Sequence, residues 1–267
     1  MTDFLEQVIA ERRADAAALD ANSRDVAGAP AVRSLFAALS ARRASGMVAL
    51  IAEVKRRSPS VGPFPDIPDV AARARLYEEA GAAAVSVLAE PRHWGGSLDD
   101  VRRVREAVSV PVLYKDVVVD DRQIEAARKA GADAILLIAE ALDDGLLARL
   151  DVRARSLGME TLIEAHELEH FERVLRLKTP IVGVNARNLR DPARGTDKTV
   201  IHMAAAFMPS NDRILVSESG IETEGDVRGL PERVDAILVG TVFVRRVDPT
   251  ETVRRLATVS RSLRQPA

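Results

Sequence analysis

The sequence predicts an α/β fold, a single (β/α)8 TIM barrel with an N-terminal helical extension, and three observations favour it. Eight short apolar runs rich in Val, Ile and Leu recur, each followed by a polar or glycine-containing turn and a stretch of helical period. The first and last runs begin at Met47 and Ala236, 189 residues apart over seven intervals, and this 27-residue repeat fits one strand, one helix and two loops. The runs are continuous rather than alternating, which is typical of parallel strands buried on both faces.

Length and composition agree with one barrel. The chain has 267 residues, 47% of them apolar, and α/β barrels of about 250 residues fold as one unit. No Gly-x-Gly-x-x-Gly follows a run and opens a helix, which argues against an open dinucleotide-binding sheet. The chain contains no cysteine, which excludes a disulfide framework, a thiolate metal site and a cysteine nucleophile.

The charge balance argues for a small partner. Lys and Arg number 38 and Asp and Glu 40, giving a net charge of −2, with both signs interspersed. A nucleic-acid or membrane-surface binder would carry a basic stripe or domain. Because the sequence also shows neither a signal peptide nor an apolar run of about 18 residues, we expect a cytoplasmic protein with no membrane partner. We further expect a monomer or weak homodimer with no metal and no cofactor.

The elements follow in order along the chain. Residues 1–46 precede the first run and are predicted to form two helices, 4–19 and 32–44, separated by a break that ends at Pro30. We expect this extension to pack on the barrel and cover one of its ends, while residues 47–267 form the catalytic barrel. The predicted strands are 47–52, 84–88, 110–113, 134–138, 160–163, 181–184, 213–216 and 236–239.

Polar side chains follow five of these runs, where the strands of a (β/α)8 barrel end and its chemistry takes place. Alternation along the first strand puts Glu53 and Lys55 on one face. The others are Lys115 after the third run, Glu164 after the fifth, Asn185 and Arg187 after the sixth, and Glu218 after the seventh. A single such residue is usually a surface charge, but five corresponding placements indicate catalysis or ligand binding, because buried charges are costly unless paired.

The last two runs end in a pattern that indicates an anion site. Ser219 and Gly220 follow the seventh run, and Gly240 and Thr241 follow the eighth. Barrels commonly bind phosphate with these two loops and a helix N-terminus.

At this point the motifs resemble those of the indole-3-glycerol phosphate synthase family. Residues 51–60 (IAEVKRRSPS) are similar to its first-strand motif, and matching motifs occur on all eight units in the same order, over residues 47–245. The further motifs are SVL at 86–88, GGSL at 95–98, PVL at 111–113 with KD at 115–116, LLI at 136–138, LIE at 162–164, GVNAR at 183–187, SESGI at 217–221 and LVG at 238–240.

The resemblance implies decarboxylation and ring closure of the small phosphorylated substrate 1-(2-carboxyphenylamino)-1-deoxyribulose 5-phosphate to indole-3-glycerol phosphate. It makes Lys115 the general acid at the ketone oxygen and Glu164 the general base that helps to make the new ring aromatic. It implies that Glu53 and Lys55 orient the substrate and assist dehydration, while Asn185 and Glu218 complete the polar wall. Substrate and phosphate binding would fall to Lys55, Ser58, Trp94, Leu136, Arg187, Leu189, Ser219, Gly220, Leu238, Gly240 and Thr241.

The chain departs from the family pattern beside the proposed acid. Val117 stands where the family usually has Phe, and Tyr114 stands where Arg or Met is usual. We expect Val117 to reduce packing on the substrate ring, and Tyr114 to point away from Lys115 by strand alternation.

Other functions stay open on the sequence alone. One alternative is another phosphate-binding barrel enzyme, either a phosphoribosylanthranilate isomerase or a Schiff-base aldolase using Lys115. A second is a paralogue that has lost activity and acts as a binding subunit. The six polar residues assigned to catalysis argue against such a loss, because drift would not spare all of them.

Overall fold

The computed structural model describes residues 3–19, 25–58, 62–64, 69–191, 194–209 and 213–260. Within these ranges, eight parallel strands close into a barrel in which each strand pairs with its sequence neighbours and the first pairs with the last. The (β/α)8 prediction is therefore confirmed. The barrel strands are β1 (Ala49–Val54), β2 (Ala84–Leu88), β3 (Val112–Lys115), β4 (Ala134–Ile138), β5 (Glu160–Ala165), β6 (Ile181–Asn185), β7 (Ile214–Glu218) and β8 (Ala236–Val239).

The predicted strand bounds agree with the structure for β2, β4 and β8, whereas the other five strands continue one or two residues beyond the predicted ends. The additional residues are polar in most cases, among them Glu53, Lys115 and Glu164. They keep the strand ladder because the parallel hydrogen bonds involve the backbone only. Five of the six residues expected to take part in catalysis therefore lie on strands, and Lys55 directly follows β1.

Helices cover the outside of the barrel. They are α1 (Phe4–Ala18), α2 (Leu35–Ala44), α3 (Val70–Glu79), α4 (Leu98–Ala107), α5 (Asp121–Lys129), α6 (Asp144–Ser156), α7 (Leu168–Leu175), α8 (Thr199–Phe207), α9 (Glu224–Arg228), α10 (Thr241–Val244) and α11 (Thr250–Ala257). A short hairpin pairs Arg57–Ser58 with Gly62–Pro63, and a 3-10 turn spans Ala139–Ala141. Among the described residues, no helix is both long and apolar enough to cross a membrane.

Side-chain caps fix where several helices begin. Asp3 accepts hydrogen bonds from the backbone N–H groups of Leu5 and Glu6, and Ser34 accepts one from Ala37. These caps satisfy N–H groups that lack a partner within the helix. Helix α2 consequently starts at Leu35, three residues later than the sequence predicts, while α1 ends one residue earlier than predicted.

The expectation that the N-terminal extension covers one end of the barrel holds for α1, and the residues just before α2 contact the other end as well. Helix α1 lies across the carboxyl end of the strands, where Arg12 bonds to Asp116 just after β3. The start of α2 lies at the opposite end, where the Arg33 N–H donates to Asp133, just before β4.

The core consists of aliphatic side chains on both faces of the strands. Every residue of β1, β2, β4, β6, β7 and β8 is buried. Four rings, those of Tyr77, Tyr114, Phe171 and Phe243, are among the largest fully buried side chains. Val, Ile, Leu and Ala thus fill most of the core, as the continuous apolar runs predict.

Candidate active site

The carboxyl ends of the strands surround a cavity of about 410 Å³, which we call the main cavity. It brings together residues that are far apart in the sequence. Its lining includes the predicted site residues Glu53, Lys55, Ser58, Trp94, Lys115, Asn185, Arg187, Leu189, Glu218, Ser219, Gly220, Leu238, Gly240 and Thr241. The two remaining predicted residues, Glu164 and Leu136, line a second cavity beside it.

Glu53 and Lys55 both face the main cavity, as the alternation along β1 predicts. The Lys55 Nζ atom lies 3.0 Å from Glu53 Oε1 and donates a hydrogen bond of 2.9 Å to Thr241 Oγ1. Burial opposes ionisation of Glu53, but the positive charges of Lys55 and Lys115 outweigh it and lower its pKa. Glu53 is therefore a carboxylate at neutral pH, in contact with an ammonium group.

Lys115 lies between two buried carboxyl groups on other strands. Its Nζ atom is 3.6 Å from Glu164 Oε2 and 3.5 Å from Glu218 Oε2. Burial alone would lower the pKa of Lys115, but Glu164, Glu218 and Glu53 reverse that effect and raise the pKa above its usual range. Lys115 is therefore a protonated ammonium at neutral pH, and it can donate a proton.

The pKa of Glu218 is also raised, and here burial is the largest cause. Burial, followed by the nearby charge of Glu164, raises its pKa well above the usual range, although Lys115 opposes this shift. Two carboxyl groups that share one ammonium do not ionise independently. One carboxyl group of the pair Glu164 and Glu218 can therefore hold a proton while the other can accept one.

Asn185 connects these groups to the loop after β7. Its Nδ2 atom lies 3.4 Å from both carboxylate oxygens of Glu164, and its Oδ1 atom accepts hydrogen bonds from Ser219 Oγ and the Arg187 N–H. The strand register places Asn185 opposite Glu218 and Glu164 opposite Gly183. The amide side chain thus connects Glu164 to the loop after β7.

Two glycines leave room for the buried carboxylates. A Cβ atom at Gly240 would lie 2.5 Å from Glu53 Oε1, and one at Gly183 would clash with Glu218 Oε1. Both distances are well inside van der Waals contact. The glycines at positions 183 and 240 are therefore needed sterically, whatever they contribute to ligand binding.

The loops after β7 and β8 lie side by side at the rim of the main cavity. Ser219 and Gly220 both have positive φ angles, 68° and 73°, which turn the backbone sharply after β7. Gly240 precedes the short helix α10. An anion site at these two loops stays a prediction.

The second cavity is apolar, and we call it the apolar cavity; its volume is about 40 Å³. It shares Leu88, Trp94, Lys115 and Leu189 with the main cavity, so the two adjoin at the proposed acid. Val117, Leu136 and Ile138 line its barrel side. On the other side it is closed by Phe4, Leu5 and Val8 of α1.

These three α1 residues are the part of the site that the sequence analysis missed. The only available signal was their spacing on one face of a predicted helix, which does not identify the surface against which that face packs. The Phe4 ring lies edge-on to Trp94, with centroids 5.9 Å apart, and to His93 at 5.1 Å. Trp94 is thus held at the mouth of the site by α1.

One group of possible metal ligands lies beside α1. Glu11, Glu90 and His93 offer ligand atoms within 4.8 Å of one another. These atoms already have protein partners, because His93 Nε2 lies 2.6 Å from Glu11 Oε2 and Glu90 accepts the N–H groups of residues 92–94. We assign this group to holding α1 against the loop after β2.

Comparison with known proteins agrees with the resemblance seen in the motifs. The model of the family described as indole-3-glycerol phosphate synthase matches residues 5–256. A protein of that name from a Nocardioides species is 49% identical over 218 residues, covering 81% of this chain and 82% of the relative. Another from Micrococcus luteus is 44% identical and covers 90% of this chain and 89% of the relative.

Solved structures support the fold. The chain resembles 3-hexulose-6-phosphate synthase from Salmonella typhimurium with a TM-score of 0.61 and 13% identity, over 79% of this chain and 97% of that one. At such low identity the likeness is evidence for the barrel alone.

Proposed function

The chain belongs to the indole-3-glycerol phosphate synthase family, and we propose that the main and apolar cavities together convert 1-(2-carboxyphenylamino)-1-deoxyribulose 5-phosphate to indole-3-glycerol phosphate, carbon dioxide and water. The observation that carries this proposal is the position of Lys115 between Glu164 and Glu218. Such a site holds a proton donor within 3.6 Å of a group that can accept a proton.

The first step needs an acid. The ring carbon that bears the carboxylate attacks the ketone carbon, and the arylamine supplies the electrons. The carbonyl π electrons move to the ketone oxygen, which takes a proton from Lys115. Positioned proton transfer of this kind accelerates reactions by about 10²–10⁴-fold. The carboxylates that raise the pKa of Lys115 ensure that the proton is present at neutral pH.

The second step releases carbon dioxide and needs no catalytic group. The bond between the ring and the carboxylate breaks, and its electrons return to the ring, restoring the aromatic system of the aryl group. The product of this step still carries the hydroxyl group made from the ketone.

The last step removes water and needs both an acid and a base. We assign Glu164 to removing a proton from the new five-membered ring, at the carbon next to the former ketone carbon. Loss of this proton lets the C–O bond break and completes the indole. The departing hydroxide needs a proton, and we assign its donation to Lys55, which is in contact with Glu53. Because Asn185 contacts both Glu164 oxygens, we assign it to orienting the base.

The two adjoining cavities suit the two ends of this substrate. We place the aromatic ring at the junction of the two cavities, partly in the apolar cavity and against Trp94, Leu136 and Leu189, because about 40 Å³ is too little for a whole ring. We place the phosphate at the loops after β7 and β8. The ketone then lies between the ring and the phosphate, beside Lys115, which lines both cavities. Ser58, Arg187 and Leu238 line the main cavity around the sugar and phosphate end in this placement.

The raised pKa of Lys115 disfavours the Schiff-base aldolase alternative. An amine must be neutral to attack a carbonyl, and lysines used in this way have lowered pKa values. The carboxylates around Lys115 act in the opposite direction. Intact acid and base groups in one cavity likewise disfavour a purely structural paralogue.

All the groups that we assign to the reaction come from one chain, and the interspersed charges favour a small-molecule partner. We accordingly propose a cytoplasmic enzyme that works as a monomer or weak homodimer on a small phosphorylated substrate. Sedimentation at increasing concentration would measure the oligomeric state.

A fluorescence assay for indole-3-glycerol phosphate tests the function directly. The purified chain is mixed with the carboxyphenylamino substrate, and indole fluorescence is followed with time. We expect turnover that releases one carbon dioxide for each indole formed. Absence of indole fluorescence, or trapping of the substrate on Lys115 by borohydride, would overturn the proposal.

A further inference from the structure

A buried group of hydrogen bonds lies directly behind Lys115, on the outer side of β3. Its members are Arg12 of α1, Tyr114 of β3 and Asp116, and all three are buried. Arg12 Nε and Nη2 donate to Asp116 Oδ1 and Oδ2 at 3.0 and 2.6 Å. The Tyr114 hydroxyl donates to Oδ2 at 2.5 Å, and the Val117 N–H donates to Oδ1 at 2.7 Å. We call these three residues the Arg12 cluster.

The Arg12 cluster fixes the backbone on both sides of Lys115. Tyr114 and Asp116 point away from the barrel interior, as alternation predicts, and they bond to each other across Lys115. The Lys115 carbonyl accepts the Ala89 N–H at 2.8 Å, which ties the same residue to the end of β2. Misplacing a catalytic group by about 1 Å can cost about 10²-fold in rate. Anchoring both neighbours therefore protects the distances from Lys115 to Glu164 and Glu218.

The Arg12 cluster also holds α1 over the apolar cavity. Leu5, Val8 and Arg12 are spaced three and four residues apart, so they share one face of the helix. Leu5 and Val8 line the apolar cavity, while Arg12 reaches past it to Asp116, which lines the same cavity. Releasing Arg12 would therefore loosen the wall of the cavity in which we place part of the aromatic ring.

Stability alone does not account for the cluster. A buried ion pair often contributes no more stability than apolar side chains of the same size, because both charges must be desolvated. Its directional hydrogen bonds instead select one geometry, and here they join the acid and the cavity wall. Arg12 Nη1 also donates to Asp15 Oδ2 at 2.8 Å, and Asp15 pairs in turn with the more exposed Arg92 of the loop after β2, so the same arginine ties α1 to that loop as well.

We propose that Arg12, Asp116 and Tyr114 are positioning residues that set the placement of both Lys115 and α1. The Arg12–Asp116 pair acts on substrate binding through the apolar cavity, and Tyr114 acts on the chemical step through the backbone at Lys115. The inference rests on the proposed function only for the identity of the substrate.

The decisive variant is the double substitution Arg12→Met with Asp116→Asn, which removes both charges and leaves no buried charge without a partner. We expect amide hydrogen exchange in residues 4–18 at least about tenfold faster than in the native chain. We expect KM to rise about tenfold and kcat to change less than about threefold, because an amide at position 116 can still accept the Tyr114 hydroxyl and the Val117 N–H, which keep Lys115 in place. Gln7→Ala, which removes an exposed hydrogen bond to Glu11 within the same helix, is the matched control and should leave exchange and kinetics unchanged.

Two further variants complete the test. Tyr114→Phe keeps the ring and removes one hydrogen bond, and should lower kcat about fivefold with KM unchanged. Arg12→Lys keeps the charge without the two-pronged contact, and should give a KM between those of the native chain and the double variant. Native exchange and KM in the double variant would overturn the proposal, as would a lower melting temperature with unchanged kinetic constants. Exchange is measured without substrate, so it tests the cluster even if the native chain forms no indole.

Discussion

Carboxylates are buried equally well at both ends of the barrel, but their oxygens are engaged differently. At the amino-terminal end, Asp133 accepts the N–H groups of Arg33 and Val112 at 2.8 Å, and Asp235 accepts the Leu215 N–H at 2.9 Å and Arg233 Nη1 at 2.5 Å. At the mouth, Glu164 is 3.4 Å from Asn185 Nδ2 and 3.6 Å from Lys115. Hydrogen bonds weaken beyond about 3.2 Å.

This difference distinguishes carboxylates that stabilise the fold from carboxylates that can react with a substrate. Short bonds from backbone N–H groups satisfy Asp133 and Asp235 and join neighbouring segments of the chain. The looser contacts of Glu164 and Glu218 leave lone pairs directed at a cavity, where a substrate can use them. Burial is the same in both regions, so the length and origin of the hydrogen bonds distinguish them. Five substitutions test this comparison.

Lys115→Met should have the largest effect on the mouth. Removing the acid should lower kcat by about 10³-fold or more, within the range of general acid catalysis, while the substrate still binds. The melting temperature should change little, because the variant removes one desolvated charge but also leaves Glu164 and Glu218 without their ammonium partner. Steady-state kinetics, substrate titration and thermal unfolding measure the three quantities. Turnover within about tenfold of the native value would exclude Lys115 as the acid.

Glu164→Gln should follow, with kcat lowered by about 10²–10³-fold because the base is lost while its shape is kept. Circular dichroism should show a native fold. An unfolded variant would instead place Glu164 with Asp133 and Asp235, as a structural carboxylate.

Asp133→Ala, at the amino-terminal end of the barrel, should lower stability and leave catalysis nearly unchanged. It leaves two backbone N–H groups and the nearby Arg105 without their acceptor, so the free energy of unfolding should fall by about 3 kcal/mol. Urea unfolding measures this change, and kcat should stay within about twofold of native. Asp99→Ala, which breaks an exposed pair with Arg102, is the control and should leave the free energy of unfolding nearly unchanged.

Glu218→Gln should alter the pH profile rather than the fold. Ionised Lys115 is the active acid, so activity is lost at high pH as this lysine deprotonates. Glu218 is one of the carboxylates that raise the pKa of Lys115, and its loss should move the alkaline limb of kcat to lower pH. In a profile of kcat against pH from 7 to about 11, the native chain should stay nearly flat, because its limb lies above the usual lysine range, and the variant should lose activity within that interval. An unmoved limb would mean that another group controls it.

Val117→Phe should give the smallest effect. The larger side chain adds apolar surface beside the cavity assigned to the aromatic ring, so KM should fall about threefold. Leu175→Phe, on the outer helix α7, is the control for adding a ring elsewhere. An unchanged KM would argue against the assignment of the apolar cavity.

Much of the barrel was predictable because its signals are local. Continuous apolar runs and their 27-residue repeat locate eight strands, and the polar residues that end the runs identify the mouth. The strand ends were predicted too early, because Glu53, Lys115 and Glu164 interrupt the apolar pattern without interrupting the backbone ladder. The pointing of Tyr114 away from Lys115 also followed from alternation, and the structure confirms it.

The sequence by itself determined the fold, the family and the residue types gathered at the mouth, since each depends on periodicity or on short motifs. Only the tertiary structure decided which charges meet, that α1 closes the apolar cavity with Phe4, Leu5 and Val8, and that Arg12 joins Asp116. Arg12 and Asp116 are 104 positions apart. Contacts of that separation depend on how completed elements pack, and no local pattern encodes the surface that an amphipathic helix will cover.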